Sequence, residues 1–147
     1  MSVELVAALA ALPHGPEFRF VDALLSLDPG RSGTGQYRLP EDAVFLRGHF
    51  PGEPILPGVL LVEAVAQLGG VVAQSDPAVV PLAGLKLAGI RAAKIQGTAR
   101  PGETVRLEAT VSGRMGGLVQ VAGSASVDGR PILRCELTLA GDVVGHS

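Results

Sequence analysis

Apolar and polar residues alternate along the second half of this chain. Val105, Leu107, Ala109 and Val111 fall on one face, and Thr104, Arg106, Glu108 and Thr110 on the other. Leu133, Cys135, Leu137 and Leu139 alternate in the same way with Arg134, Glu136 and Thr138. A period of two places successive side chains on opposite faces of a strand. Val119 to Val127 supplies the strand between these two, and the turns are Met115-Gly116-Gly117 and Asp128-Gly129, the second a dipeptide suited to tight hairpins. The pattern predicts an antiparallel meander over 104–140 with one buried face. Nearer the N-terminus, Phe18 to Leu27 is rich in strand formers and Ser32 to Leu39 alternates well, with Asp28-Pro29-Gly30 between them. These two segments predict a hairpin. Val79 to Ile95 predicts at least one more strand, with basic residues interspersed.

The helical signals are fewer. Ser2 suits an N-cap, and Val3 to Leu12 predicts a short helix that Pro13 helps to end. Pro40 to Leu46 is a connection with room for one helical turn. Between the hairpin and the meander the alternation stops. Pro51, Pro54 and Pro57 stiffen a loop, and an apolar helix follows over about 58–74, closing near Asp76-Pro77. Pro57 suits the first helical position. A helix that is apolar nearly all round must be covered on most sides, and one sheet covers only one side. The expectation is one α+β domain spanning 1–147. An antiparallel sheet of five to six strands curls around one long central helix, and a second copy of the chain covers the rest, as a homodimer or a higher oligomer of dimers.

Composition adds limits. Apolar residues make up 47% of the chain, charged residues 18% and aromatics 3%, with no Trp, so the core must be aliphatic. The net charge of −2 gives no case for nucleic acid. No acidic residue lies between Asp76 and Glu103, whereas Lys86, Arg91, Lys94 and Arg100 all do. Such a run is either an ordinary solvated edge or a basic rim that steers an anionic partner. The single cysteine, Cys135, excludes an intrachain disulfide and reads as a small core residue. The N-terminal apolar run has Glu4 and no preceding Lys or Arg, unlike a secretion signal. Val59 to Ala73 is interrupted by Glu63 and Gln67 and is short for a membrane span. A cytoplasmic protein without membrane contact is expected.

The candidate chemistry lies in and after the proline loop, Gly48-His49-Phe50-Pro51-Gly52-Glu53-Pro54-Ile55-Leu56-Pro57-Gly58. Glu63 sits one and a half turns into the apolar helix, where burial disfavours its charged form unless a partner compensates. Its alternative place is on a solvent face. His49 alone would be weak evidence, since a lone His is more often structural. Beside a carboxylate, however, an imidazole gives an acid and a base near neutral pH. The free amides of Gly58 and Val59 would sit at the positive end of the helix dipole, where a polarised carbonyl oxygen can bind. Base, acid and oxyanion site suit proton abstraction beside a carbonyl and loss of a β-substituent. The motif has no Ser or Cys nucleophile and no metal-ligand spacing.

Gly48 to Leu60, with Glu63-Ala64-Val65-Ala66-Gln67, resembles the signature of the 3-hydroxyacyl-[acyl-carrier-protein] dehydratases of type II fatty acid synthesis, which are hot-dog-fold enzymes. Leu12-Pro13-His14, Val21-Asp22, Ala88-Gly89-Ile90, Lys94, Pro101-Gly102-Glu103 and Ala125 to Gly129 extend the resemblance over about 12–140. It implies that His49 acts on the α-proton of a 3-hydroxyacyl thioester and that Glu63 orients or protonates the departing hydroxyl. The Gly58 amide, with that of Val59, would hold the thioester carbonyl, and Gln67 would back Glu63 on the same helix face. No cofactor is implied. The resemblance also implies that His49 and Glu63 of one site come from different subunits, and that an acidic acyl carrier protein docks on the Lys86–Arg100 rim. Alternatives in the same fold are an acyl thioesterase in which Glu63 activates water, and a non-catalytic acyl-binding subunit. His14 and His146 lie outside the motif, His14 reading as a cap on the first helix and His146 as part of a fraying tail.

Overall fold

The computed structural model describes residues 2–50 and 52–144. Pro51 of the proline brace and the tail bearing His146 lie outside them. Helix α1 covers Val3–Ala10 and α2 covers Gly58–Gln74. The strands are β1 Ala23–Asp28, β2 Ser32–Arg38, β3 Ala83–Ile95, β4 Thr104–Met115, β5 Leu118–Val127 and β6 Arg130–Asp142. They form one antiparallel sheet in the order β1-β2-β4-β5-β6-β3. Helix α2 packs against β2 through β6. This is the expected hot-dog arrangement, one long helix held by a six-stranded sheet.

The register explains how alternation becomes a core. Leu107 pairs with Ala125, Ala125 with Leu133 and Leu133 with Ile95, so one row of side chains crosses four strands. Leu107, Ala125 and Leu133 are buried. Asp128 and Gly129 both have positive φ, 49° and 77°, as the two-residue turn joining β5 and β6 requires. Glycine lets the helix approach the sheet closely. A Cβ on Gly69 would lie 2.9 Å from both methyls of Val121, and one on Gly123 would strike the Val65 side chain and lie 2.7 Å from the Glu108 carbonyl oxygen. Most of α2 is buried. At its C-terminal end Arg114 Nη1 donates to the Ala73 carbonyl at 2.9 Å, which sets a cation against the negative pole of the helix.

Local differences from expectation have physical causes. The first helix ends at Ala10, with Ala11 closing it through its backbone N–H. Residues 44–47 form a single 3-10 turn, as the connection allowed. Pro57 is the N-cap of α2 and not its first helical residue; its ψ of 134° is extended and its carbonyl accepts from Leu60 N at 2.9 Å. The segment from Phe18 to Asp22 is not strand. The Phe18 carbonyl and the Phe20 N–H bond instead to the Gln67 side chain, which removes them from any ladder. Strand β3 pairs with β6 on one side only and forms an edge of the sheet. Ile90 and Ile95 on it remain 55% and 54% exposed.

The few aromatics cluster where the segment before β1 crosses the sheet. The Phe20 ring packs edge-to-face on Phe18, Tyr37 and Phe45. Tyr37 is buried, and burial, reinforced by the Asp22 carboxylate, pushes its phenol up to about 12. A raised value means that the fold favours the neutral phenol. Its contribution to stability is complete below the unfolded value near pH 10 and is lost as pH climbs toward 12. Tyr37 is the only tyrosine and there is no Trp, so tyrosinate absorbance reports this ring alone. A midpoint near 12 is expected for the folded protein and about 10 in denaturant. Equal midpoints would contradict the burial.

Candidate active site

Glu63 and Gln67 stand one turn apart on α2, so their side chains share a face. Gln67 is 2% exposed, and it is the buried polar side chain of the described core. Its amide is fully used. Oε1 accepts from Phe20 N at 2.9 Å, and Nε2 donates to the Phe18 carbonyl at 2.8 Å and to Glu63 Oε2 at 3.0 Å. Because a backbone N–H must meet an acceptor, Phe20 fixes which end of the amide is oxygen. The other end must then donate to Glu63. Glu63 is therefore neither stranded in the core nor spread on a solvent face. Its side chain is 18% exposed and held at one oxygen.

A third group joins them. His14 Nε2 lies 3.4 Å from the same Glu63 Oε2. The turn that carries His14 is tied down by Arg19, whose Nε donates to the His14 carbonyl at 3.1 Å and whose Nη2 donates to the Leu12 carbonyl at 2.9 Å. His14 therefore does not cap the first helix; the chain after α1 folds back and delivers it to Glu63. In sequence His14 was visible only as part of Leu12-Pro13-His14, and nothing local tied it to a residue 49 positions away. The long-range signal was the buried Gln67, which holds residues 18–20 and so the turn before them.

His14, Glu63 and Gln67 line a cavity of about 250 Å³ between the two helices and β3. Its remaining wall is mostly apolar, with Ala8, Leu12, Leu85 and Leu139 contributing. Lys86 is the one basic-rim residue that also lines it. Arg91, Lys94 and Arg100 are exposed, and the Arg100 guanidinium lies 4.0 Å from Glu53.

His49 is elsewhere. Its Nδ1 lies 3.2 Å from the Ile55 carbonyl oxygen, its ring stacks on Phe50 at 4.2 Å, and Ile55 N returns to the His49 carbonyl at 3.0 Å. The proline loop thus clasps the imidazole beside the start of α2. Gly58 and Val59 open that helix, and their N–H groups take no acceptor among the described residues. A Cβ at Gly58 would come 2.6 Å from Ile95 Cδ1, so glycine also gives β3 room. Neither His49 nor Gly58 lines the cavity that holds Glu63. The candidate residues thus fall in two separate groups, Glu63 with Gln67 and His14, and His49 with Gly58 and Val59. Among the described residues, no cluster of His, Cys, Asp and Glu could hold a metal ion, and no helix is long and apolar enough to cross a membrane.

Residues 12–136 match the FabA-like domain model. The chain belongs to this family. It is 37% identical over 132 residues to the 3-hydroxyacyl-[acyl-carrier-protein] dehydratase FabZ of Roseiflexus castenholzii, covering 90% of this chain and 92% of that one. It is 34% identical over 143 residues to the FabZ of Syntrophotalea carbinolica, covering 93% of each. Among solved structures, the dehydratase heterocomplex ApeI:P of Xenorhabdus doucetiae superposes with a TM-score of 0.76 at 19% identity, over 95% of this chain and 91% of that one. Zebra fish thioesterase superfamily member 2 superposes with a TM-score of 0.66 at 17% identity, over 90% of each. Both structural likenesses speak for the hot-dog fold. The FabA-like match begins at Leu12 and so includes His14 and Arg19.

Gln67→Met keeps most of the volume and removes the amide. It leaves the buried Phe20 N–H without an acceptor, a cost of roughly 1–3 kcal/mol. A lower urea midpoint at unchanged slope is expected. An unchanged midpoint would mean that Gln67 does not hold the N-terminal segment.

Proposed function

We propose that the protein is a lyase that dehydrates a 3-hydroxyacyl thioester, borne by an acyl carrier protein, to the trans-2-enoyl thioester in fatty acid biosynthesis. The observation that carries this reading is the carboxylate of Glu63. It is held by Gln67 at one oxygen and borders a largely apolar cavity, in a FabA-like chain that also keeps His49 and Gly58. The relatives named as 3-hydroxyacyl-[acyl-carrier-protein] dehydratases support the substrate class.

The chemistry follows from those groups. A proton on His49 Nδ1 would be satisfied by the Ile55 carbonyl oxygen, which leaves Nε2 as the basic nitrogen. Nε2 takes the α-proton of the substrate. Negative charge then builds on the thioester oxygen, where the Gly58 and Val59 N–H groups and the start of the helix dipole can receive it. The electron pair moves into the new Cα–Cβ double bond and the C–O bond breaks. Glu63 gives the departing hydroxyl a proton, and water leaves. Return of a proton from His49 to Glu63 restores the site. Nothing is oxidised or reduced, so the reaction balances without a cofactor.

In this reading the chain works as a single hot-dog domain within a homodimer. The separation of His49 from the Glu63 cavity supports a site in which one copy supplies the base and the other the acid. The open edge of β3, with Ile90 and Ile95 exposed, supports the surface through which two copies meet. Lys86, Arg91, Lys94 and Arg100 would face the acidic carrier, and the cell compartment would be the cytoplasm.

Purified protein should form enoyl-thioester absorbance from a 3-hydroxyacyl carrier substrate. His49→Ala should lower the rate by roughly 10²–10⁴-fold, the usual worth of a positioned base. Undiminished activity in that variant would sink the assignment. Thiol release without enoyl formation would favour hydrolysis, and binding without turnover an accessory role. For the rim, Lys94→Glu or Arg91→Glu should raise the apparent KM for carrier-linked substrate more than for a small thioester. Equal effects on the two substrates would rule out carrier docking there.

A further inference from the structure

Two nitrogens converge on one oxygen of Glu63. Gln67 Nε2 approaches Oε2 at 3.0 Å and His14 Nε2 approaches it at 3.4 Å. Oε1 has no partner among the described residues. The direction of the Gln67 bond is set by the Phe20 N–H at its other end, so Oε2 must accept and cannot carry a proton there. His14 has a comparable asymmetry. Its Nδ1 is buried and has no hydrogen-bond partner. A proton on Nδ1 would meet no acceptor, whereas one on Nε2 faces Glu63 Oε2, so the geometry favours a lone pair on Nδ1 and a proton on Nε2. Lys86 is the remaining charged group that lines the cavity.

We infer that His14 is a second positioning residue for Glu63, acting with Gln67 to occupy Oε2 and so confine the transferable proton to Oε1. This rests on the dehydratase reading above. The 3.4 Å contact is longer than a fully formed N–H···O bond, and catalytic contacts of this kind shorten in substrate complexes. Arg19 keeps the turn in place for it, through the His14 and Leu12 carbonyls. The Phe18 ring stacks beside the imidazole, with centroids 6.2 Å apart.

The test has two arms. In wild-type protein, nitrogen-15 shifts of the imidazoles, with His14 assigned by loss of its signals in His14→Gln, should show the neutral Nε2–H tautomer. An Nδ1–H tautomer or an imidazolium at neutral pH would overturn the proposal. In the kinetic arm, His14→Ala should lower kcat by roughly tenfold or more with KM little changed, the scale of one lost hydrogen bond in the transition state. His14→Gln, whose amide N–H can reach Oε2, should recover most of that loss. Wild-type kcat in His14→Ala, or equal losses in the two variants, would overturn the positioning role. A wild-type protein that dehydrates nothing fails the functional reading. The tautomer measurement needs neither turnover nor a folded alanine variant, and still decides the state of His14.

Discussion

The structure depends on the three hydrogen bonds of Gln67. A helix packed against five strands has little tolerance for a buried polar group, because each unpaired donor or acceptor there costs more than a paired one returns. Gln67 meets that constraint by spending its whole amide on two main-chain groups of the segment before β1 and on Glu63. One side chain thereby fixes three things. It holds residues 18–20 against the helix instead of in the sheet. It sets the turn that Arg19 closes and that carries His14. It also orients the carboxylate on which the proposed chemistry depends.

Around that knot the fold is ordinary packing. The sheet lies close to the helix because Gly69 and Gly123 leave no Cβ between them, and the core is aliphatic because the chain has few aromatics. What the sheet cannot do is cover every side of the assembly. Strand β3 has one paired flank and one open flank, and an exposed edge bearing Ile90 and Ile95 calls for a cover. The same strand meets the start of α2 at Gly58 through Ile95. A second copy covering β3, as proposed, would lie near the N–H groups proposed to hold the thioester.

Much of this was legible in sequence, and the limit falls in a definite place. The meander over 104–140 was readable because alternation reports a strand with one buried face, and β4, β5 and β6 follow it. The long helix was readable from its length and its odd carboxylate. Residues 18–22 were misread as strand because their composition is strand-like, while the group that diverts them, Gln67, is 47 to 49 positions away. His14 was hidden for the same reason. Local patterns report the period of a segment; they do not report which backbone groups a distant side chain will claim. Pro57 moved from first helical residue to N-cap, the kind of boundary shift that local patterns leave open.

His49 and Glu63 share a feature that neither motif nor cavity shows alone. His49 offers two nitrogens, and the protein engages Nδ1 with the Ile55 carbonyl and leaves Nε2 without a partner among the described residues. Glu63 offers two oxygens; Oε2 accepts from Gln67, with His14 Nε2 3.4 Å away, and Oε1 has no partner among the described residues. Each group is anchored through one atom, and in the proposed reaction the other exchanges a proton. The anchors have opposite character, an acceptor for the imidazole and a donor for the carboxylate. In the proposed reaction the acceptor at Nδ1 leaves Nε2 as the nitrogen that faces substrate, and the donor at Oε2 leaves Oε1 as the oxygen that does. Elimination needs one proton removed at Cα and one delivered at Cβ, along directions set by the substrate. Anchoring each group at a single atom fixes those directions before any substrate arrives.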